Sequence, residues 1–212
     1  MKEKKLLHLM PEIMNIAFLI IVTVALLTAF YYQIFRNELP CPLCLMQRAG
    51  FITAGTGAML NIIFGRKNIN YGLVTCGALV AGIIGVRQVL LNIQSGGSGF
   101  GSPFIGLHLY TWSVLMSVMM IVGVAITLMM EISIQKTPGK TLIPAWCGRY
   151  VCYFFALVIA ANVVSTLLEC GIGQCDGDTY YYRLLSYHEK LNNGGLSMPE
   201  NYFADIGYLA DQ

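Results

Sequence analysis

The sequence predicts an all-α integral membrane protein: a four-helix transmembrane bundle core, a fifth transmembrane helix and a short tail. Two observations carry this. The 212 residues are 56% hydrophobic and only 11% charged, where a soluble domain carries about 25% charged residues. Five apolar segments also meet or approach the roughly 20 residues needed to cross the hydrocarbon core. They are solidly apolar with scattered Gly and Ala, as packed helices require, whereas barrel strands would alternate apolar and polar residues. A net charge of +2 creates no field that would hold nucleic acid, and the basic residues form no stripe.

The first predicted span covers residues 13–34. Lys2, Lys4 and Lys5 precede it as they would a signal peptide, but it is longer than the roughly 7 to 15 residues of a secretory apolar region, so a retained helix is expected. The second span, 43–64, follows Cys41-Pro42-Leu43-Cys44. The third, 71–91, contains Cys76 and has Arg87 near its end. The fourth, 106–130, opens with Gly106-Leu107-His108-Leu109-Tyr110-Thr111-Trp112, and the fifth covers 150–168. The remaining tail is rich in tyrosine, a residue that favours the headgroup level. Asn192, Asn193, Gly194 and Gly195 signal a turn, so a short surface helix is expected over 179–191. The predicted organisation is a four-helix membrane core (1–131), an inner loop with the fifth helix (132–168) and a cysteine-containing outer tail (169–212).

Orientation follows from the bias of Lys and Arg in short loops. Lys2, Lys4, Lys5, Arg66, Lys67, Lys136, Lys140 and Arg149 fall on one side; Arg36, Arg48, Arg87, Arg183 and Lys190 fall on the other. The N-terminus is therefore expected inside and the C-terminus outside. The outer side then receives the start of the second span, the Gly-rich loop 94–102 and the tail.

This topology sorts the seven cysteines. Cys41, Cys44, Cys170 and Cys175 lie outside, where an oxidising compartment permits disulfides. Cys76 lies within the third span, and Cys147 and Cys152 lie near the inner end of the fifth, where they read as small apolar residues. In the C-x-x-C, Pro42 suits the first position of a helix. That places Cys41 at or beside the N-cap, at the positive end of the helix dipole, where a thiolate is stabilised. Arg48 follows Cys44 by four residues and so shares its helix face.

A static clip closing so small a ring would stabilise little. Zinc usually takes four ligands, and outside only His108 and the tail cysteines could add to the pair, so no metal site is expected. Reactive thiol chemistry is the favoured reading. For Cys170 and Cys175, the two intervening glycines allow a disulfide, and both a structural clip and a redox role remain open. Arg87 at the hydrocarbon edge requires snorkelling or a partner. Tyr110 and Trp112 read as aromatic-belt anchors.

Cys41-Pro42-Leu43-Cys44-Leu45-Met46-Gln47-Arg48 at the mouth of the second span, Arg87 closing the third and the Gly106–Trp112 segment opening the fourth together resemble the disulfide bond formation protein B (DsbB-like) family. The resemblance covers the first four spans, residues 13–130. It implies a four-helix core that takes electrons from a periplasmic thioredoxin-like, DsbA-like dithiol oxidase and passes them to a membrane quinone, ubiquinone or menaquinone. Cys44 would face the quinone, Cys41 would exchange with an outer cysteine pair, and Arg48 would help to hold the quinone. Arg87 and His108 would be further cofactor-binding candidates. The family pattern places its second cysteine pair between the third and fourth spans, where residues 94–102 hold none. Cys170 and Cys175, beyond the extra fifth span, take that place by topology.

The expected function is therefore a protein dithiol:quinone oxidoreductase that supports disulfide bond formation. The expected setting is the lipid bilayer of a bacterial inner membrane, with the N-terminus cytoplasmic and the C-terminus periplasmic. The alternatives are a quinone-linked reductase of the vitamin K epoxide reductase type and a non-catalytic membrane scaffold or carrier. Transport lacks support from broken-helix pairs or an intramembrane acid cluster.

Overall fold

Long uninterrupted apolar runs leave the backbone no partners but its own, so they close into helices. The computed structural model describes residues 2–36, 40–94, 104–133 and 145–170. Among these it contains α1 (Lys2–Phe35), α2 (Pro42–Phe64), α3 (Asn68–Gln94), α4 (Leu109–Ser133) and α5 (Ala145–Cys170). Each helix contains or overlaps one predicted span. The surface helix and turn expected in the tail lie outside the described residues.

Four of the described helices, α1, α3, α4 and α5, are long and apolar enough to cross a bilayer. With its 23 residues, α2 is roughly 34 Å long at 1.5 Å per residue. Its average apolarity is lowered by Gln47, Arg48 and Asn61, of which Gln47 and Asn61 are buried. The expected second span thus meets the length requirement and turns its amides into the bundle. The chain is a multi-pass, all-α membrane protein. Its large apolar side chains point outward: Ile83 is 66% exposed and Met119 70%. Such surfaces are rare on soluble monomers and suit a hydrocarbon environment.

In the bundle, α1 packs on α2, α2 on α3, α3 on α4, and α4 on α1, closing a ring of four. Small residues set the tightest approach, between α2 and α3. A Cβ added at Gly77 would meet the backbone of Ala54 and lie 2.6 Å from the Gly50 carbonyl oxygen. Such close backbone packing substitutes for the hydrophobic force that lipid does not supply between helices. Around it, Leu19, Val22, Phe51, Val74 and Met120 form a continuous buried core. α5 lies outside the ring: its Phe155 ring occupies the space over Gly55 of α2.

One end of the bundle is tied by amides. Asn15 Nδ2 donates to Tyr71 Oη at 2.9 Å and to the Pro11 carbonyl at 2.7 Å. Asn61 Nδ2 donates to Asn15 Oδ1 at 2.9 Å, while Asn61 Oδ1 accepts from Asn70 Nδ2 at 3.0 Å and from the Lys67 backbone N–H at 3.1 Å. This network joins α1, α2 and α3 beside the basic Arg66-Lys67 connection. The opposite end holds Cys41 and Cys44.

The chain divides into two compact units, Met1–Val164 and Ser165–Gln212. The first contains the four-helix ring and most of α5. The second begins in the last turns of α5.

Candidate thiol redox site

Cys41 has extended backbone (φ −69°, ψ 159°) and caps α2, and Pro42 occupies the first helical position, where no backbone donor is needed. The Cys41 Sγ accepts a hydrogen bond from the Cys44 backbone N–H at 3.2 Å. The sulfur thus takes the role usually given to a capping oxygen. Both cysteines are free thiols and are half-buried.

Position at a helix N-terminus predicts a stabilised thiolate on Cys41. In the reduced pair the opposite holds. The Cys41 thiol is held well above the usual cysteine range, first by its hydrogen bond to the Cys44 side chain and then by burial. The backbone N–H groups of Cys44 and Leu43 act in the lowering direction and are outweighed. A thiol that hydrogen-bonds its neighbour keeps its proton.

The second amide of the site comes from α3. Gln88, only 3% exposed, places its Nε2 3.5 Å from both Cys41 Sγ and Cys44 Sγ. Its Oε1 accepts from Gln47 Nε2 at 2.6 Å and lies 3.9 Å from the Cys44 thiol. Sequence reasoning passes over Gln88, because a lone amide beside Arg87 in an apolar run attracts less notice than the charge. The available signal is helical spacing: successive side chains point about 100° apart, so an outward Arg87 leaves Gln88 facing inward.

The Arg48 guanidinium reaches back to α1. Its Nη1 donates to Gln33 Oε1 at 2.9 Å, its Nη2 donates to the Ala29 carbonyl at 3.3 Å, and its Cζ lies 5.7 Å from the centre of the Phe30 ring. The two hydrogen bonds use acceptors that α1 supplies within the apolar zone.

Cys44, Gln47, Arg48 and Gln88 line one cavity of about 270 Å³. Most of its remaining wall is apolar or aromatic, including Leu26, Phe51, Phe104, Tyr110, Trp112 and Met116. Tyr110 and Trp112, expected as belt anchors, thus line a cavity. The cause is a tight turn before α4. Phe104 and Leu107 exchange backbone hydrogen bonds at 2.7 and 3.2 Å, and Ile105 and Gly106 take positive φ (51° and 79°), the geometry of a two-residue reversal. Trp112 Nε1 donates to the Phe104 carbonyl at 2.9 Å and fastens the turn over the cavity.

Among the other predicted residues, Arg87 is exposed and does not line this cavity. His108 precedes α4 and stacks on Tyr110, with ring centres 5.2 Å apart; it is one ring removed from the wall. Cys170 is disulfide-bonded and belongs to the second unit. Cys175 lies outside the described residues. Cys76 and Cys152 are free thiols, the first exposed and the second buried. No group of three or more metal-ligating side chains occurs among the described residues.

No curated protein and no solved structure matches the chain. Residues 11–100 match the family model described as disulfide bond formation protein DsbB. That segment holds Cys41, Cys44, Arg48 and Gln88 and ends before His108. Over residues 11–100, this membrane-spanning chain is similar to the disulfide bond formation protein DsbB family.

Proposed function

We propose that the chain is a membrane dithiol:quinone oxidoreductase that reoxidises a periplasmic DsbA-like dithiol oxidase and passes the electrons to ubiquinone or menaquinone. In this reading the N-terminus is cytoplasmic and the C-terminus periplasmic in a bacterial inner membrane. The observation that carries it is the shared cavity, in which a C-x-x-C sulfur, a guanidinium and two amides meet an apolar, aromatic-lined space. Polar groups at one edge and flat apolar walls elsewhere fit a ring with polar carbonyls and a hydrocarbon tail.

Electrons enter by thiol–disulfide exchange, each step needing a thiolate and an accessible sulfur. A partner thiolate attacks the disulfide that contains Cys170, paired in this proposal with Cys175, and forms a mixed disulfide. The partner's second thiol displaces it, so the partner leaves oxidised and the tail pair is reduced. A tail thiolate then attacks Cys41 of the Cys41–Cys44 disulfide, and Cys44 leaves as a thiolate. The other tail thiol, as its thiolate, attacks the tail sulfur bonded to Cys41, which re-forms the tail disulfide and releases Cys41 to take up a proton as a thiol. A bound quinone supplies the acceptor for two electrons and two protons. Cys44 presents the electron-rich sulfur to the cavity, Cys41 retains a proton until the disulfide re-forms, and Arg48 and Gln88 contribute positive charge and an N–H donor beside Cys44.

The test is anaerobic absorbance of the purified protein with quinone and a reduced DsbA-like oxidase, comparing wild type with Cys44→Ser and Cys170→Ser. Loss of quinone reduction in both variants is the expected result. Loss in Cys44→Ser alone would make the tail disulfide a clip, and no reduction by wild type would overturn the proposal.

A further inference from the structure

Gln88 is placed to do more than fill the α2–α3 interface. A primary amide has two N–H donors and one carbonyl acceptor. Here the carbonyl is occupied by Gln47 Nε2 at 2.6 Å, which turns the NH₂ group toward the sulfurs. The Gln88 nitrogen is 3.5 Å from each sulfur. Both amides are almost fully buried, with Gln47 6% and Gln88 3% exposed, so water does not compete for these donors.

The consequence depends on redox state. A disulfide offers the amide two neutral, weakly accepting sulfurs. A reduced pair carrying one negative charge offers an anionic sulfur, to which an N–H donates a much stronger bond. One fixed donor thus stabilises the reduced form more than the oxidised form, and stabilising the reduced form makes a couple more oxidising.

We propose that Gln88 is a catalytic residue whose amide N–H groups set the redox poise of the Cys41–Cys44 couple, and that Gln47 is the positioning residue that aims it. This rests on the Cys41–Cys44 pair being a working redox couple, as in the proposed function. It adds a determinant of how strongly that pair oxidises.

The test equilibrates the full-length protein in detergent with dithiothreitol, without quinone or partner protein. The Cys41–Cys44 disulfide breaks and takes two electrons and two protons. Dithiothreitol loses the same and closes its own ring disulfide. The fraction reduced is read on the Cys41–Cys44 peptide by differential alkylation and mass spectrometry, which separates it from the Cys170 disulfide. Gln88→Met, of similar length and without a donor, is expected to shift the equilibrium roughly tenfold toward the disulfide, about 30 mV for a two-electron couple. Gln47→Leu leaves Gln88 in place but unaimed, and a smaller shift of the same sign is expected. Should Gln88→Met fail to fold, the Gln47→Leu shift decides alone.

Constants within twofold of wild type, or a shift toward the dithiol, overturn the proposal. Because no quinone is present, the two readings fail separately. A tenfold shift in a protein that never reduces quinone rejects the proposed function only. Unchanged constants in a protein that does reduce quinone reject the role of Gln88 only.

Discussion

Arg48 Nη1 donates to Gln33 Oε1 at 2.9 Å, so the one cation on the described part of α2 is held by an amide of α1 that is itself only 3% exposed. An arginine among apolar helices is costly unless its donors find acceptors. The Ala29 carbonyl and Gln33 supply two such acceptors, and the guanidinium lines the wall that it shares with Cys44.

Arg48→Met removes that charge from the cavity. Hydrogen bonds to charged groups are worth about 1.5–3 kcal/mol, so kcat/KM for quinone is expected to fall roughly tenfold to a hundredfold. Arg48→Lys should recover only part of this, because an ammonium lacks the planar fork that reaches Gln33 and Ala29 together. Steady-state quinone reduction over a range of quinone concentrations checks it, and a full rescue by lysine would contradict this account.

Trp112→Phe keeps an aromatic ring on the cavity wall but removes the 2.9 Å bond from Nε1 to the Phe104 carbonyl. A neutral hydrogen bond contributes about 1 kcal/mol. The expected result is a KM for quinone raised about fivefold with kcat little changed, since the cysteine–glutamine contacts are untouched. A fall in kcat alone would count against the turn as a shaping element.

Gly77→Val forces a side chain into the backbone of Ala54 and Gly50. Overpacking costs about 1–3 kcal/mol where neighbours can yield, and here the neighbours are backbone atoms. The detergent unfolding midpoint should drop. Parting α2 from α3 should also move Gln88 away from both sulfurs, so the thiol–disulfide equilibrium should shift toward the disulfide in any molecules that remain folded.

Asn61→Ala separates stability from chemistry. It removes the bonds to Asn15, Asn70 and the Lys67 N–H, at about 0.6 kcal/mol each on average within a membrane bundle, so a loss of about 2 kcal/mol is expected. Asn61 lies roughly 20 Å along α2 from Gln47. Quinone reduction per folded molecule should therefore match wild type, and an unfolding titration paired with an activity assay checks both halves.

The helices extend beyond the predicted spans in most cases because backbone hydrogen bonding continues past the point where side chains stop being apolar. α1 begins at Lys2 and α3 at Asn68, before the apolar runs start. At α4 the opposite occurs. The predicted span opens at residue 106, but the helix begins at Leu109, because Ile105 and Gly106 are used in a reversal with positive φ. Nothing in the local composition around Phe104 distinguishes that turn from a helix start.

The sequence by itself determined the membrane class, the five helices and the placing of a C-x-x-C with Arg48 at the head of the second. Apolar run length, proline at a first helical position and four-residue spacing are local properties that need no partner. Only the tertiary structure decided that Gln33, Gln47 and Gln88, scattered over three helices, turn inward around those sulfurs and that guanidinium, while Arg87 faces out. Which face of an apolar helix points inward depends on the close α2–α3 approach at Gly50 and Gly77, and the inward-facing amides are held by partners on neighbouring helices.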